Sequence, residues 1–71
     1  GSEMCIRDRA VSIALAHAGL SQSQVYGLEA EREWEDDHLE YQVEFKAGGM
    51  EYEYKIDART GGVLTYEMDR D

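Results

Sequence analysis

The 71-residue chain has no proline, one cysteine, and seven basic residues against sixteen acidic ones. Each shortage removes a class of explanation. A lone cysteine, Cys5, closes no internal disulfide, so the fold must rest on apolar burial or on a neighbouring surface. The net charge of −9, with no stripe of Lys or Arg to neutralise phosphates, excludes nucleic acid and disfavours an anionic membrane surface. No apolar run is long enough to span a bilayer or to form a signal-peptide core, which leaves the membrane reachable only through a missing N-terminal anchor. Histidine is scarce too. His17 and His38 stand at no triad spacing from Ser12, Ser21 or Ser23, and with Cys5 they make no zinc-ligand pattern. No catalytic residue and no cofactor is therefore assigned. The missing proline, together with five tyrosines, favours strands joined by tight turns over linkers or disorder.

What is present reads as one small domain, which at this size buries only about 60% of its unfolded surface. Residues 8–18, DRAVSIALAHA, carry a helical stripe at Ala10, Ile13, Ala14, His17 and Ala18, with Asp8 placed to cap the start. His17 is expected to be half-buried on that stripe. Gly19 stands where a left-handed residue ends a helix, and Leu20 can close over Leu15.

Three alternating segments follow. In 25–35, Tyr26, Leu28, Ala30 and Trp34 share one parity, broken by Arg32, against Glu29, Glu31, Glu33 and Glu35. In 38–46, Leu39, Tyr41, Val43 and Phe45 alternate with polar residues, and His38 begins the strand in solvent. In 50–58, Met50, Tyr52, Tyr54, Ile56 and Ala58 do the same. Period two with one wet face predicts antiparallel strands, and VLTYEM (63–68) adds a last short one. Gly48-Gly49 predicts a two-residue hairpin. That turn sets Phe45 against Tyr52, Val43 against Tyr54 and Tyr41 against Ile56 on the buried side. On the wet side it sets Lys46 against Glu51, Gln42 against Lys55, Glu44 against Glu53 and Glu40 against Asp57. Glu35-Asp36-Asp37 makes the first turn. Residues 57–62 make the last, with Asp57 and Thr60 bonding local backbone and Gly61 at positive φ. The expected fold is α+β: one helix on one face of an antiparallel meander of three to four strands.

Two features invite chemistry. Glu35, Asp36 and Asp37 offer the oxygen ligands calcium prefers, but lack the EF-hand order, so no metal is assigned and they stand as the nearest approach to one. The wet sheet face is dominated by carboxylates, relieved only by Lys46 and Lys55. Such a face is either solvated surface that keeps the domain soluble or a docking surface for a basic partner. In the second case Glu44, Glu51 and Glu53 are the candidates, with Trp34 and Tyr26 as aromatic contacts, although core burial is the commoner fate of both aromatics. Carboxylates on a flat exposed sheet lack the desolvation a general acid needs.

The order ALAHAGLSQSQV, then EYQVEFKAGGMEYEYKIDARTGGVL, resembles the PepSY domain family over roughly residues 10–68. The carrying pieces are Ala18-Gly19-Leu20-Ser21, Tyr41-x-Val43-x-Phe45, and Tyr52-x-Tyr54-x-Ile56-Asp57-Ala58-x-Thr60-Gly61. The resemblance implies a module without catalytic residues, of the kind found in propeptides of thermolysin-like metallopeptidases and in bacterial envelope proteins. Its implied partner is a protein, either a peptidase or a neighbouring PepSY domain, met outside the cytoplasm. Gly19, Tyr41, Phe45, Tyr52, Tyr54, Ile56, Asp57 and Gly61 transfer as fold determinants. The alternative is a structural or calcium-binding envelope repeat with no peptidase partner.

The opening GSEMCIRDR, residues 1–9, falls outside that pattern. One codon choice for it reads continuously, in frame, as the adapter of a transposase-based sequencing library. The expectation is a non-native segment at 1–9 and a single PepSY-like domain at 10–71, with Cys5, Arg7 and Arg9 uninformative about redox compartment or partners.

Overall fold

The computed structural model describes residues 6–70. A helix α1 (Ile6–Ala18) and a single 3-10 turn (Gln22–Gln24) precede four strands: β1 (Tyr26–Glu35), β2 (His38–Ala47), β3 (Met50–Asp57) and β4 (Val63–Arg70). All neighbours are antiparallel and the sheet order is β1-β2-β3-β4. The α+β meander expected from the alternation is the fold.

The helix ends as its sequence dictates. Gly19 takes φ 75. Its N–H donates to Ala16 O at 3.1 Å and the Leu20 N–H to Leu15 O at 3.0 Å, the paired bonds of a Schellman motif. The start differs: α1 begins at Ile6, which puts Asp8 inside the first turn instead of at its cap. Ile6, Arg7 and Arg9 offer no steric barrier to helix, so the turn extends back through them. Gly1–Cys5 lie outside the described residues, and the expectation for 1–9 meets the structure only at Ile6–Arg9. The buried stripe is also rotated. Ala10, Val11, Ala14 and Leu15 are buried, Ile13 and Ala18 are half-buried, and His17 is exposed. Alanines surround this helix, so periodicity alone does not pick a face; the larger Val11 and Leu15 turn inward because they fill more space.

Beneath α1 the sheet contributes Val43, Phe45, Tyr54 and Ile56, each no more than 1% exposed. Val43 stands opposite Tyr54, Phe45 opposite Tyr52 and Tyr41 opposite Ile56, the register set by the Gly48-Gly49 turn, where φ is 58 and 79. At the last turn Asp57 Oδ1 accepts from the Arg59 and Thr60 N–H groups at 2.7 and 3.0 Å, Thr60 Oγ1 accepts from Gly62 N–H at 3.1 Å, and Gly61 takes φ 79. The 3-10 turn is closed by a bond the sequence did not announce, from the Ser21 N–H to Gln24 Oε1 at 2.8 Å.

Two irregularities reshape the faces. Between Tyr26 and Glu29 the β1–β2 register shifts, with Gly27 at φ 64. This glycine bulge carries Tyr26 to the polar face, opposite Lys46, while Leu28 stays toward the core. Tyr26 and Leu28 therefore do not share a face as simple parity predicts. A second shift, at Lys55/Ile56 against Val63–Thr65, leaves Leu64 as the extra residue at the start of β4.

Candidate functional site

Side chains on the polar face line up across the strands. Glu29 is opposite Glu44, Glu44 opposite Glu53, and Glu53 opposite Glu67, so one row of four glutamates crosses all four strands. Like charges directly opposite repel, and the neighbouring amide eases this. Gln42 Nε2 donates to Glu44 Oε1 at 3.1 Å and to Glu53 Oε2 at 2.6 Å. A hydrogen bond with Glu53, partial burial, and the charges of Glu53, Glu29 and Glu51 raise the Glu44 carboxyl above its ordinary value. Glu51 has a cation within reach, Lys46 Nζ at 3.9 Å. Of the docking candidates, Glu44, Glu51 and Glu53 thus share one surface.

Trp34 does not share it. It lies opposite Leu39 on the helix side of the sheet, beyond the reach of α1, and is 73% exposed. With Asp37, His38, Leu39, Asp57 and Arg59 it lines an open concavity of about 420 Å³. Tyr26 is exposed as well, on the opposite face. Neither aromatic enters the core.

The hairpin tip is Asp36-Asp37, since Glu35 already pairs with His38. Asp36 sits at φ 57. Glu35, Asp36 and Asp37 are exposed there, and among the described residues no group of three or more His, Cys, Asp or Glu is arranged to hold a metal ion. His38 is half-buried, not free in solvent, with Nε2 3.3 Å from Glu40 Oε1 and Nδ1 3.9 Å from Asp37 Oδ1. Glu40, nominally on the wet face, is only 5% exposed. Alternation within β2 does not reveal this burial; Glu40 lies directly between Glu33 and Asp57 of the neighbouring strands.

On the helix side an aromatic row continues past the helix. Phe45 stacks on Tyr52 at 5.1 Å, Tyr54 stacks on Tyr66 at 5.6 Å, and His17 reaches Tyr54 Oη through Nδ1 at 3.0 Å while its ring lies 4.7 Å from Tyr66. Burial raises the Tyr54 phenol, which stays neutral. The helix packs mainly over β1, β2 and β3, so Tyr66 and Met68 on β4 remain 50% and 54% exposed.

The fold and these surfaces define a small α+β module with an open sheet, acidic on one face and partly uncovered on the other. Residues 7–67 match the family model "Peptidase propeptide and YPEB domain", and the chain belongs to this family, PepSY. The uncharacterized protein Spy1430 of Streptococcus pyogenes serotype M6 (strain ATCC BAA-946 / MGAS10394) is 35% identical over 57 residues, which is 80% of this chain and 44% of that protein. The chain thus spans less than half the length of this curated relative. No solved structure matches. Domains of this family are peptidase-propeptide-like or envelope modules. No helix among the described residues is long and apolar enough to cross a membrane.

Proposed function

We infer that this PepSY module works by binding protein and not by catalysing a reaction, regulating or inhibiting a peptidase or serving as a binding domain in a longer envelope or secreted protein. The observation that carries this reading is the row Glu29–Glu44–Glu53–Glu67, which runs carboxylates across all four strands of a face relieved only by Lys46 and Lys55. Such a face draws a basic protein surface by charge, with an on-rate that falls as salt rises. Glu44, Glu51 and Glu53 are its centre. The test is a titration of the chain into a thermolysin-like metallopeptidase stripped of its propeptide, run with calcium and with a chelator. Inhibition that weakens with salt and with Glu44→Lys supports the reading. No inhibition, together with thermal stabilisation of the free chain by calcium, transfers support to a cation-binding envelope repeat.

Residues 1–9 are taken as foreign to the module, although the family match begins at Arg7 and α1 at Ile6. Genomic reads running unbroken through codons 1–9 would overturn that assignment.

A further inference from the structure

The four-stranded sheet has two edges, β1 and β4, and they are not equivalent. Natural edge strands are protected from pairing by bulges, charged side chains, prolines or covering elements. Each edge has one bulge, at Gly27 in β1 and at Leu64 in β4, and neither contains proline or lysine. They differ in the helix-side row: β1 sets Arg32 between Ala30 and Trp34, whereas β4 presents Tyr66 and Met68 without an interrupting charge, with Arg70 beyond them. Its outer edge is open among the described residues, and its side chains divide by face. Tyr66 and Met68 project on the helix side and stay about half exposed, Tyr66 although the His17 ring of α1 lies against it. Thr65, Glu67 and Asp69 project on the acidic side, where Glu67 ends the glutamate row and Asp69 faces Glu51.

We propose that β4 is a strand-addition edge that accepts an extended protein segment in which apolar residues alternate with Lys or Arg. Main-chain bonds to the open edge supply affinity, and the two faces of β4 supply the selection. Apolar residues of the incoming strand extend the row Tyr52–Met68 and Tyr54–Tyr66, while its basic residues land opposite Glu67 and Asp69 as a fifth column beside the glutamates. Charge selects against a second copy of the chain. Antiparallel joining of β4 to β4 in one continuous sheet brings the two acidic rows together, with Glu67 against Glu67 or Asp69 of the second copy. The inference rests on the protein-binding reading above but names a different part of the sheet.

The probes are labelled octapeptides alternating valine with lysine and valine with glutamate, each titrated into the full chain and followed by amide NMR shifts and fluorescence anisotropy. The valine–lysine peptide is expected to bind, with shifts concentrated in Thr65–Arg70 and slowed amide exchange there, and the valine–glutamate peptide is not. Two further valine–lysine peptides carry N-methyl groups on one or the other set of alternate amides, with charge unchanged. Only the set that faces β4 should abolish binding. Glu67→Lys should weaken the valine–lysine peptide about fivefold and bring the valine–glutamate peptide into range by a similar factor. Equal binding of both charge types, equal tolerance of both N-methylated sets, shifts centred on β1, or dimerisation of the free chain through β4 would each overturn the proposal. The two readings fail separately. Peptidase inhibition that survives Glu67→Lys and blocking of β4 leaves the protein-binding reading standing without this edge. Selective peptide capture at β4 with no effect on a peptidase does the reverse.

Discussion

Glu44 and Glu53 stand directly opposite each other on β2 and β3, and the amide of Gln42 bonds both, at 3.1 and 2.6 Å. The pair is flanked on either side by Glu29 and Glu67. A hydrogen bond with Glu53, desolvation, and the charges of Glu53, Glu29 and Glu51 make Glu44 hold its proton more tightly in the folded chain than its ordinary value of 4.5 implies. A carboxyl whose pKa is raised by folding contributes stability that is fully present below 4.5 and is lost as pH rises through the raised value. Asp57 has the opposite sign: bonds from the Thr60 and Arg59 N–H groups lower it from 3.8, so its contribution is present above 3.8 and lost as pH falls through the lowered value. Thermal melts across this range should therefore show greatest stability in mild acid, with Tm falling toward neutrality and again in strong acid. In Glu44→Gln the fall toward neutrality should flatten; an unchanged profile would show that the row is not coupled.

Replacing Glu53 by lysine tests the same row without titration. The introduced ammonium would stand between Glu44 and Glu67, converting two like-charged oppositions into two favourable ones, each worth a few tenths of a kcal/mol to about 1 kcal/mol. The lost bond from Gln42 offsets about half of that gain. Glu53→Lys should raise stability by about 0.5 kcal/mol in urea unfolding at neutral pH, and less in high salt. A clear destabilisation would contradict the register.

Much of this geometry was legible in the sequence, and the residues show where it stopped being so. The β2–β3 pairing followed from Gly48-Gly49, because a two-residue turn fixes every opposition along both strands. The Glu44–Glu53 contact was readable for that reason. Extending the row to Glu29 required knowing that the first turn is Asp36-Asp37 alone, with Glu35 already in the ladder. Extending it to Glu67 required the bulge at Leu64. Single insertions invert every later parity, so Tyr26 fell on the wrong face although Gly27 was the available signal for a bulge. The exposure of Trp34 and Tyr66 is a different case. Alternation put Trp34 on the apolar side correctly, but whether that side is covered at the sheet's margins depends on how far α1 reaches across it.

Tyr54 tests the core. It is 1% exposed, stacked on Tyr66, and bonded through its hydroxyl to His17. Tyr54→Phe keeps the ring and loses one hydrogen bond, which should cost about 1 kcal/mol. Tyr54→Asp places a carboxylate among Phe45, Val43 and Ala14 with no partner, and a domain this small should not fold with it. Far-UV circular dichroism separates the two outcomes, and near-native stability in Tyr54→Asp would show that the helix does not cover β3 as described.

Backbone geometry makes the last comparison. Gly61 at φ 79 and Gly19 at φ 75 are both left-handed, but a Cβ at Gly61 would lie 3.1 Å from Arg9 Nη2 and 3.2 Å from Ile13 Cδ1, whereas at Gly19 nothing lies within 4 Å. Gly19→Ala should therefore cost about 1 kcal/mol of conformational strain alone. Gly61→Ala should cost more, about 2 kcal/mol, because the α1 side chains must also give way. Asp36 is the converse, a non-glycine residue at φ 57 on an exposed tip beside two further carboxylates. Asp36→Gly relieves both the strain and part of the repulsion, and the added freedom of the unfolded chain offsets only some of the gain. It should be neutral or stabilising by up to about 1 kcal/mol in denaturant titration. Equal losses in Gly19→Ala and Gly61→Ala would mean that α1 does not press on the last turn, and that the Asp57–Gly62 loop is positioned by its own hydrogen bonds alone.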